Sequence, residues 1–175
     1  MNVRQGFALW LTGLPASGKS SITRELVTKL EALGIRAVVL ESDEMRKILT
    51  PEPDYSTEER DAFYRSLALI GELLTRSSTN VIFDATANKR TYRDYARTRI
   101  PKFMEIYVQC PLDICMKRDP KGIYSRASAG GTTTVPGMQA PYEPPISPEV
   151  TLDCQSLPET GAALILDKLK QELFI

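Results

Sequence analysis

A chain of 175 residues fits one domain of ordinary size, and with 42% hydrophobic and 25% charged residues it can bury a sizeable core. Its 22 basic and 22 acidic residues cancel, which argues against a protein that coats nucleic acid or anionic lipid. Histidine is absent, which excludes His-based hydrolase triads, His-ligated zinc and His general bases and leaves carboxylates, lysine and backbone dipoles for chemistry.

Met1 to Gln5 lacks the apolar core of a signal peptide, and no apolar run approaches the ~18 residues of a membrane span, so a cytoplasmic protein without a membrane segment is expected. Phe7 to Leu11 reads as a buried strand ending in Thr12 and Gly13. Ile22, Leu26, Val27, Leu30 and Leu33 then repeat at helical spacing, with Gly34 placed as the C-terminal cap. Ala37 to Leu40 is a second strand, which closes a right-handed β-loop-α-β unit. Thr57 to Arg76 returns to the helical period, with Phe63, Leu67, Ile70, Leu73 and Leu74 on the face expected to be buried.

Val81 to Phe83 is the third strand, Thr91 to Arg99 a short helix stopped by Pro101, and Ile106 to Val108 the fourth strand. Leu112 to Lys117 reads as a short helix, Val150 to Leu152 as the fifth strand and Pro158 to Leu173 as the closing helix. Alternation at this interval predicts an α/β fold, a parallel five-stranded sheet covered by helices on both faces, over a single domain spanning 1–175. The segment from Asp119 to Pro148 holds six prolines and four glycines and reads as a lid over an active site. Cys110, Cys115 and Cys154 form no CxxC pair and sit in or beside apolar runs. They are expected as buried small hydrophobes in a reducing compartment, with no metal cluster.

The chemistry is announced by Gly13-Leu14-Pro15-Ala16-Ser17-Gly18-Lys19-Ser20, which matches GxxxxGK[ST] at every fixed position. A random chain of this length would show the pattern roughly once in a hundred or two, and here it also joins a strand to an amphipathic helix. Backbone N–H groups of such a loop turn toward phosphate oxygens, and the helix N-terminus favours their charge. Lys19 reaches the outer phosphates, and Ser20 offers an oxygen to Mg²⁺. With Ser21 beside them, these residues are the expected contacts of ATP or GTP.

Asp43 and Asp84 each follow a short apolar strand and so emerge at the carboxyl edge of the sheet, where ligands bind in open α/β folds. Either can serve as the metal-side acid, and a helix cap or turn is the plainer role for each. Asp43 and Arg46 lie three residues apart, on one side of an opening helix, where a carboxylate can take a hydroxyl proton and a guanidinium can fork an anion. Arg60 and Lys121 are candidate anion contacts or plain surface cations, and Arg65 is closer to the latter. Tyr55 stacks on a base or covers core, and Trp10 packs in the core.

These residues resemble the adenylylsulfate kinase family, the P-loop kinases that phosphorylate the 3'-hydroxyl of adenosine 5'-phosphosulfate with MgATP. The family's phosphate loop matches Gly13 to Ser20, its DGDNxR segment Glu41 to Arg46, its loop phenylalanine Tyr55 and its next-helix arginine Arg60. Its DPKGLYxxARAG stretch resembles Asp119 to Gly130, and its PYExP resembles Pro141 to Pro145. The resemblance implies a P-loop NTPase fold, ATP and Mg²⁺ as cofactors, a mobile lid, a small nucleotide acceptor and a homodimer. It implies Lys19 and Asp43 as catalytic residues, Mg²⁺ near Ser20 with Asp43 or Asp84, and acceptor contacts from Asp43, Arg46, Tyr55, Arg60, Phe63, Thr86, Lys121 and Val135.

Departures cluster at the acceptor side. Glu41, Ser42 and Glu44 replace the family's aspartate, glycine and asparagine; Phe63 replaces an asparagine, and Val135 replaces the adenine-stacking phenylalanine of the lid. Ala87 stands at the serine of the family's ISP motif, which excludes a phosphoserine route at that position. The expected reaction is direct in-line transfer to adenosine 5'-phosphosulfate, with another nucleotide, such as a cytidine diphosphate derivative, as the alternative acceptor. A nontransferring ATP-binding module is the reading from another class, and zero net charge disfavours a polynucleotide-end kinase.

Overall fold

The computed structural model describes residues 5–131 and 134–175. Its elements are β1 (Ala8–Thr12), α1 (Lys19–Glu31), β2 (Ala37–Glu41), α2 (Ser42–Leu49), α3 (Thr57–Arg76), β3 (Asn80–Asp84), α4 (Arg90–Arg97), β4 (Phe103–Gln109), α5 (Leu112–Arg118), α6 (Ile123–Ser128), β5 (Val150–Asp153) and α7 (Pro158–Gln171). The strands form one parallel sheet in the order β2-β3-β1-β4-β5, so β1, which feeds the phosphate loop, lies at its centre.

Side-chain alternation on the central strands builds two cores. Leu9 and Leu11 of β1 and Ile106 and Val108 of β4 face Ile22, Leu26 and Leu30 of α1 and Ile165 and Leu169 of α7. Ala8 and Trp10 of β1 and Val81 and Phe83 of β3 face Phe63, Tyr64 and Leu67 of α3 and Tyr92 and Ala96 of α4. Trp10 is fully buried, stacks on Phe83 with centroids 4.4 Å apart and donates its indole N–H to the Ala85 carbonyl at 3.1 Å, as a core residue must. Gly34, at φ +72°, closes the first helix through Gly34 N–H to Glu31 O and Ile35 N–H to Leu30 O, both 2.9 Å.

The structure corrects several expectations. Leu73, expected inside, is 63% exposed, because the buried face of α3 runs through Leu67, Ala68, Gly71 and Thr75. Leu33 is 51% exposed, since α1 ends before it. The proline- and glycine-rich segment from 119 onward contains the helix α6, which starts after Gly122; the Asp119 carboxylate ahead of it accepts the N–H groups of Tyr124 at 3.1 Å and Ser125 at 2.9 Å. Cys110 and Cys154 form a disulfide rather than remaining as separate small hydrophobes. They follow Gln109 and Asp153, which are partners in the β4–β5 register, and so sit with Cα atoms 5.1 Å apart. Cys115 stays unbonded and buried, as expected.

Beneath the helix α4 side of the sheet lies a buried charge network. Arg93, 1% exposed, donates to the Glu105 carboxylate at 2.5 Å, to the Glu143 carbonyl at 2.7 Å and to the Ala87 carbonyl. Arg97 adds a weaker contact to Glu105 at 3.5 Å and a two-pronged one to Glu149 at 2.6 and 2.9 Å. Arg93→Leu would leave Glu105 buried with only the distant Arg97, so a stability loss of about 3 kcal/mol or more is expected in denaturant unfolding. A loss under about 1 kcal/mol would show that the network is not what ties the 141–149 segment to α4.

Candidate active site

The phosphate loop runs from the end of β1 into α1. Gly13 has φ +151°, and a Cβ built there would lie 2.5 Å from the Val108 carbonyl oxygen, so no side chain fits between loop and β4. Ala16 and Gly18 follow at φ +61° and +106°, and Ser17, buried, donates its N–H to Leu14 O at 3.1 Å. Lys19 opens the helix and is itself buried; its ammonium donates to the carbonyls of Gly13 and Leu14 at 3.0 and 2.9 Å. Burial pushes the Lys19 pKa below the ordinary lysine value, and the nearby Asp84 carboxylate opposes that shift. Ser20 is exposed and Ser21 half-buried on the first turn of α1. Leu14 and Pro15 complete the loop, and the buried Tyr124 of α6 donates its hydroxyl to the Pro15 carbonyl at 2.9 Å. Helix α6 is therefore pinned to the phosphate loop.

The second side of the site comes from β2 and α2. Glu41 ends the strand and caps the helix, its carboxylate accepting the Glu44 N–H at 3.2 Å. Burial, followed by the charge of Asp43, raises the Glu41 pKa above the usual carboxylate value. Asp43 projects from the first helical turn and is ion-paired with Lys121 at 2.5 Å, with Glu41 a further 3.8 Å contact of the same ammonium. That hydrogen bond to Asp43 raises the Lys121 pKa. Arg46, one turn on, is buried, with its guanidinium 4.0 Å from the Phe63 ring centroid and 5.0 Å from that of Tyr55.

Glu59 holds this corner together. Its carboxylate pairs with Arg46 and accepts the N–H groups of Asp54 at 2.5 Å and Tyr55 at 2.8 Å, while its own N–H donates to Ser56 Oγ at 3.2 Å. Tyr55 is thereby held at φ +57°, a left-handed conformation that a bulky residue adopts only when its surroundings impose it. Arg60 donates to the Thr134 carbonyl at 2.6 Å and so links α3 to the chain that follows α6.

The third side is the end of β3. Asp84 is 3% exposed and registers with Leu11 and Glu41, which sets it between the phosphate loop and α2. Among the described residues no side chain hydrogen-bonds or ion-pairs with its carboxylate, although it acts electrostatically on Lys19. Thr86 follows, its carbonyl accepting the Thr12 hydroxyl at 2.6 Å, and the Ala87 N–H donates to the Tyr64 hydroxyl at 3.1 Å. Asn88 donates to the Pro141 carbonyl at 3.0 Å.

A cleft of about 350 Å³ opens among these parts. Pro15, Asp43, Arg46, Tyr55, Arg60, Thr86 and Val135 line it, so the structure brings most of the sequence-selected acceptor residues together. Phe63 is an exception: it is 1% exposed and meets the site only as the face under Arg46. Lys121 reaches the cleft's edge through Asp43 rather than as a wall. Sequence reasoning missed Tyr64, Asn88, Arg126 and Glu59. Of these only Glu59 carried a local signal, the Ser56-Thr57-Glu58-Glu59 capping pattern.

Oxygen donors at Ser20 and Asp84 suit a hard divalent cation. Among the described residues no three acidic, cysteine or histidine side chains converge, so such an ion would take most of its ligands from nucleotide phosphates and water. No described helix is long and apolar enough to cross a membrane.

Comparison with known proteins agrees with the geometry. The sequence pattern of adenylylsulphate kinase matches residues 5–153. A probable adenylyl-sulfate kinase of Pyrococcus abyssi is 36% identical over 168 residues, covering 95% of this chain and 97% of its own. An adenylyl-sulfate kinase of Rippkaea orientalis is 40% identical over 157 residues, covering 90% of this chain and 86% of its own. In fold, the chain superposes on a Mycobacterium tuberculosis APS kinase, solved with AMPPNP and APS, with a TM-score of 0.90 at 32% identity over 95% of this chain and 98% of that one. Agreement along nearly the whole chain, in sequence and in fold alike, makes it a member of the adenylylsulphate kinase family.

Proposed function

We propose that the protein transfers the γ-phosphoryl group of ATP to the 3'-hydroxyl of adenylyl sulfate (adenosine 5'-phosphosulfate), giving 3'-phosphoadenylyl sulfate. The observation that carries this reading is the meeting, across one cleft, of a phosphate loop and an acid-arginine helix. ATP phosphates lie against the loop's N–H groups and Lys19, which stabilise charge on the transferred group. Asp43 accepts the proton of the attacking hydroxyl, and Lys121, already on Asp43, holds that carboxylate in place. Arg46 and Arg60 take the acceptor's anionic end, and Tyr55 supplies the stacking face for its base. Closure of the segment 119–148 keeps water from competing with the acceptor.

Mg²⁺ is part of the proposal. Ser20 and Asp84 would hold it, with Asp43 as the alternative acid; when bound, the ion supplies charge neutralisation on the ATP phosphates. The chain acts as one kinase unit and pairs with a second copy of itself, for which the edge strand β2, with Val38 and Val39 39% and 38% exposed, offers an apolar margin.

Val135, at the wall where the family carries a stacking phenylalanine, favours one second reading, a different nucleotide acceptor. Steady-state ADP release with adenylyl sulfate, a cytidine diphosphate derivative and a nucleoside decides between them. Adenylyl sulfate is expected to give a kcat/KM at least about tenfold above the others, whereas a tenfold preference for another acceptor would reassign the substrate.

A further inference from the structure

We propose that Arg126, which no motif singled out, is an electrostatic contact for the acceptor's phosphosulfate and supplies about half of the positive charge that receives it. This inference rests on adenylyl sulfate being the acceptor, and it concerns how that dianion is recognised. Arg126 sits in the last turn of α6 and lines the cleft together with Arg46 and Arg60. The three guanidinium groups are not equally available. Arg46 is neutralised by the Glu59 carboxylate and lies against the Phe63 ring. Asp43, the acid on the same wall, is matched by Lys121. Arg60 gives a hydrogen bond to a neutral carbonyl, that of Thr134, and keeps its charge uncompensated. The Arg126 guanidinium has no hydrogen-bond or ion-pair partner among the described residues.

Of the charged side chains that line the cleft, Arg60 and Arg126 are therefore the two left without a counter-charge, which matches an acceptor bearing one charge on its phosphate and one on its sulfate. Placement supports the assignment, because Arg126 is carried by the one short helix that also touches both other sides of the site. Tyr124 of α6 holds the phosphate loop at Pro15, and Lys121, just before the helix, holds Asp43. The helix that carries Arg126 is thus anchored at the cleft, which lowers the cost of bringing its guanidinium onto an anion there. Arg126 is exposed, so its contribution is screened and moderate, and it grows as salt falls.

The test compares wild type, Arg126→Gln and Arg126→Lys for adenylyl sulfate affinity in calorimetric titrations of AMPPNP-saturated protein at two salt concentrations, with the KM for ATP as the control. Arg126→Gln is expected to weaken adenylyl sulfate binding by about tenfold at low salt, with a shallower salt dependence and an ATP KM within about twofold of wild type. Arg126→Lys should restore most of the loss, since a positive charge returns without the fork. Adenylyl sulfate affinity within twofold of wild type in Arg126→Gln overturns the assignment while leaving the proposed function standing. If wild type neither binds nor phosphorylates adenylyl sulfate, the proposed function fails instead. The arginine is then decided by the same wild-type to Arg126→Gln ratio for inorganic sulfate, where a ratio near one overturns it.

Discussion

Replacing Lys19 with methionine is expected to lower phosphoryl transfer by about a thousandfold or more while leaving the fold at least as stable. Catalysis suffers because the ammonium lies inside the loop, within 3.0 Å of the Gly13 and Leu14 carbonyls, and turns from them to the developing charge once ATP phosphates arrive. Stability holds for the opposite reason. Burial lowers the Lys19 pKa, which means that keeping the charge costs folding free energy at neutral pH, where the unfolded lysine is protonated and freely solvated. Methionine removes that cost and retains most of the packed volume. Single-turnover transfer and thermal unfolding, measured on the same preparation, check both halves. Transfer within tenfold of wild type would remove Lys19 from the chemistry, and a large drop in melting temperature would assign it to the scaffold.

Asp43→Asn is expected to reduce kcat by roughly 10²- to 10⁴-fold with ATP binding near normal. The amide keeps the shape of the carboxylate but cannot take the hydroxyl proton, and it also gives up the charge on which Lys121 is seated at 2.5 Å. The proposed ATP contacts lie on the other side of the cleft, on the loop from Gly13 to Ser20, so nucleotide affinity is expected to be insulated from the change. An unchanged kcat would move the proton-accepting role to Asp84, the other acid at this edge of the sheet. Rapid-quench turnover together with AMPPNP titration separates the two.

Local signals carried most of this fold. The strand-to-helix run at Gly13 to Ser20 declared its conformation, because the loop's glycines and lysine lie within a few residues of one another. The parallel sheet followed from alternating apolar segments, and the structure adds its order, which places β1 between β3 and β4. What stayed hidden depends on register and tertiary contact. Cys110 and Cys154 are 44 residues apart in sequence and meet only because β4 and β5 pair at Gln109 and Asp153. Tyr124 meets Pro15 across 109 residues of sequence, and Arg93 joins Glu105 and Glu143 from separate elements. Neither contact has a local pattern. Phe63 was read as an acceptor contact from its alignment, yet helical phase turns it into the core beneath Arg46. The α6 helix was obscured by surrounding prolines and glycines, although the Asp119 carboxylate ahead of it accepts two N–H groups of its first turn.

Equimolar ATP, Mg²⁺ and adenylyl sulfate incubated with the purified protein, followed by mass and NMR analysis of the product nucleotide, tests the central claim most directly. Stoichiometric ADP with a single new phosphate on the 3'-oxygen of adenylyl sulfate is the predicted result. ADP and free phosphate without a phosphorylated acceptor, or a phosphate on any other oxygen, would contradict it.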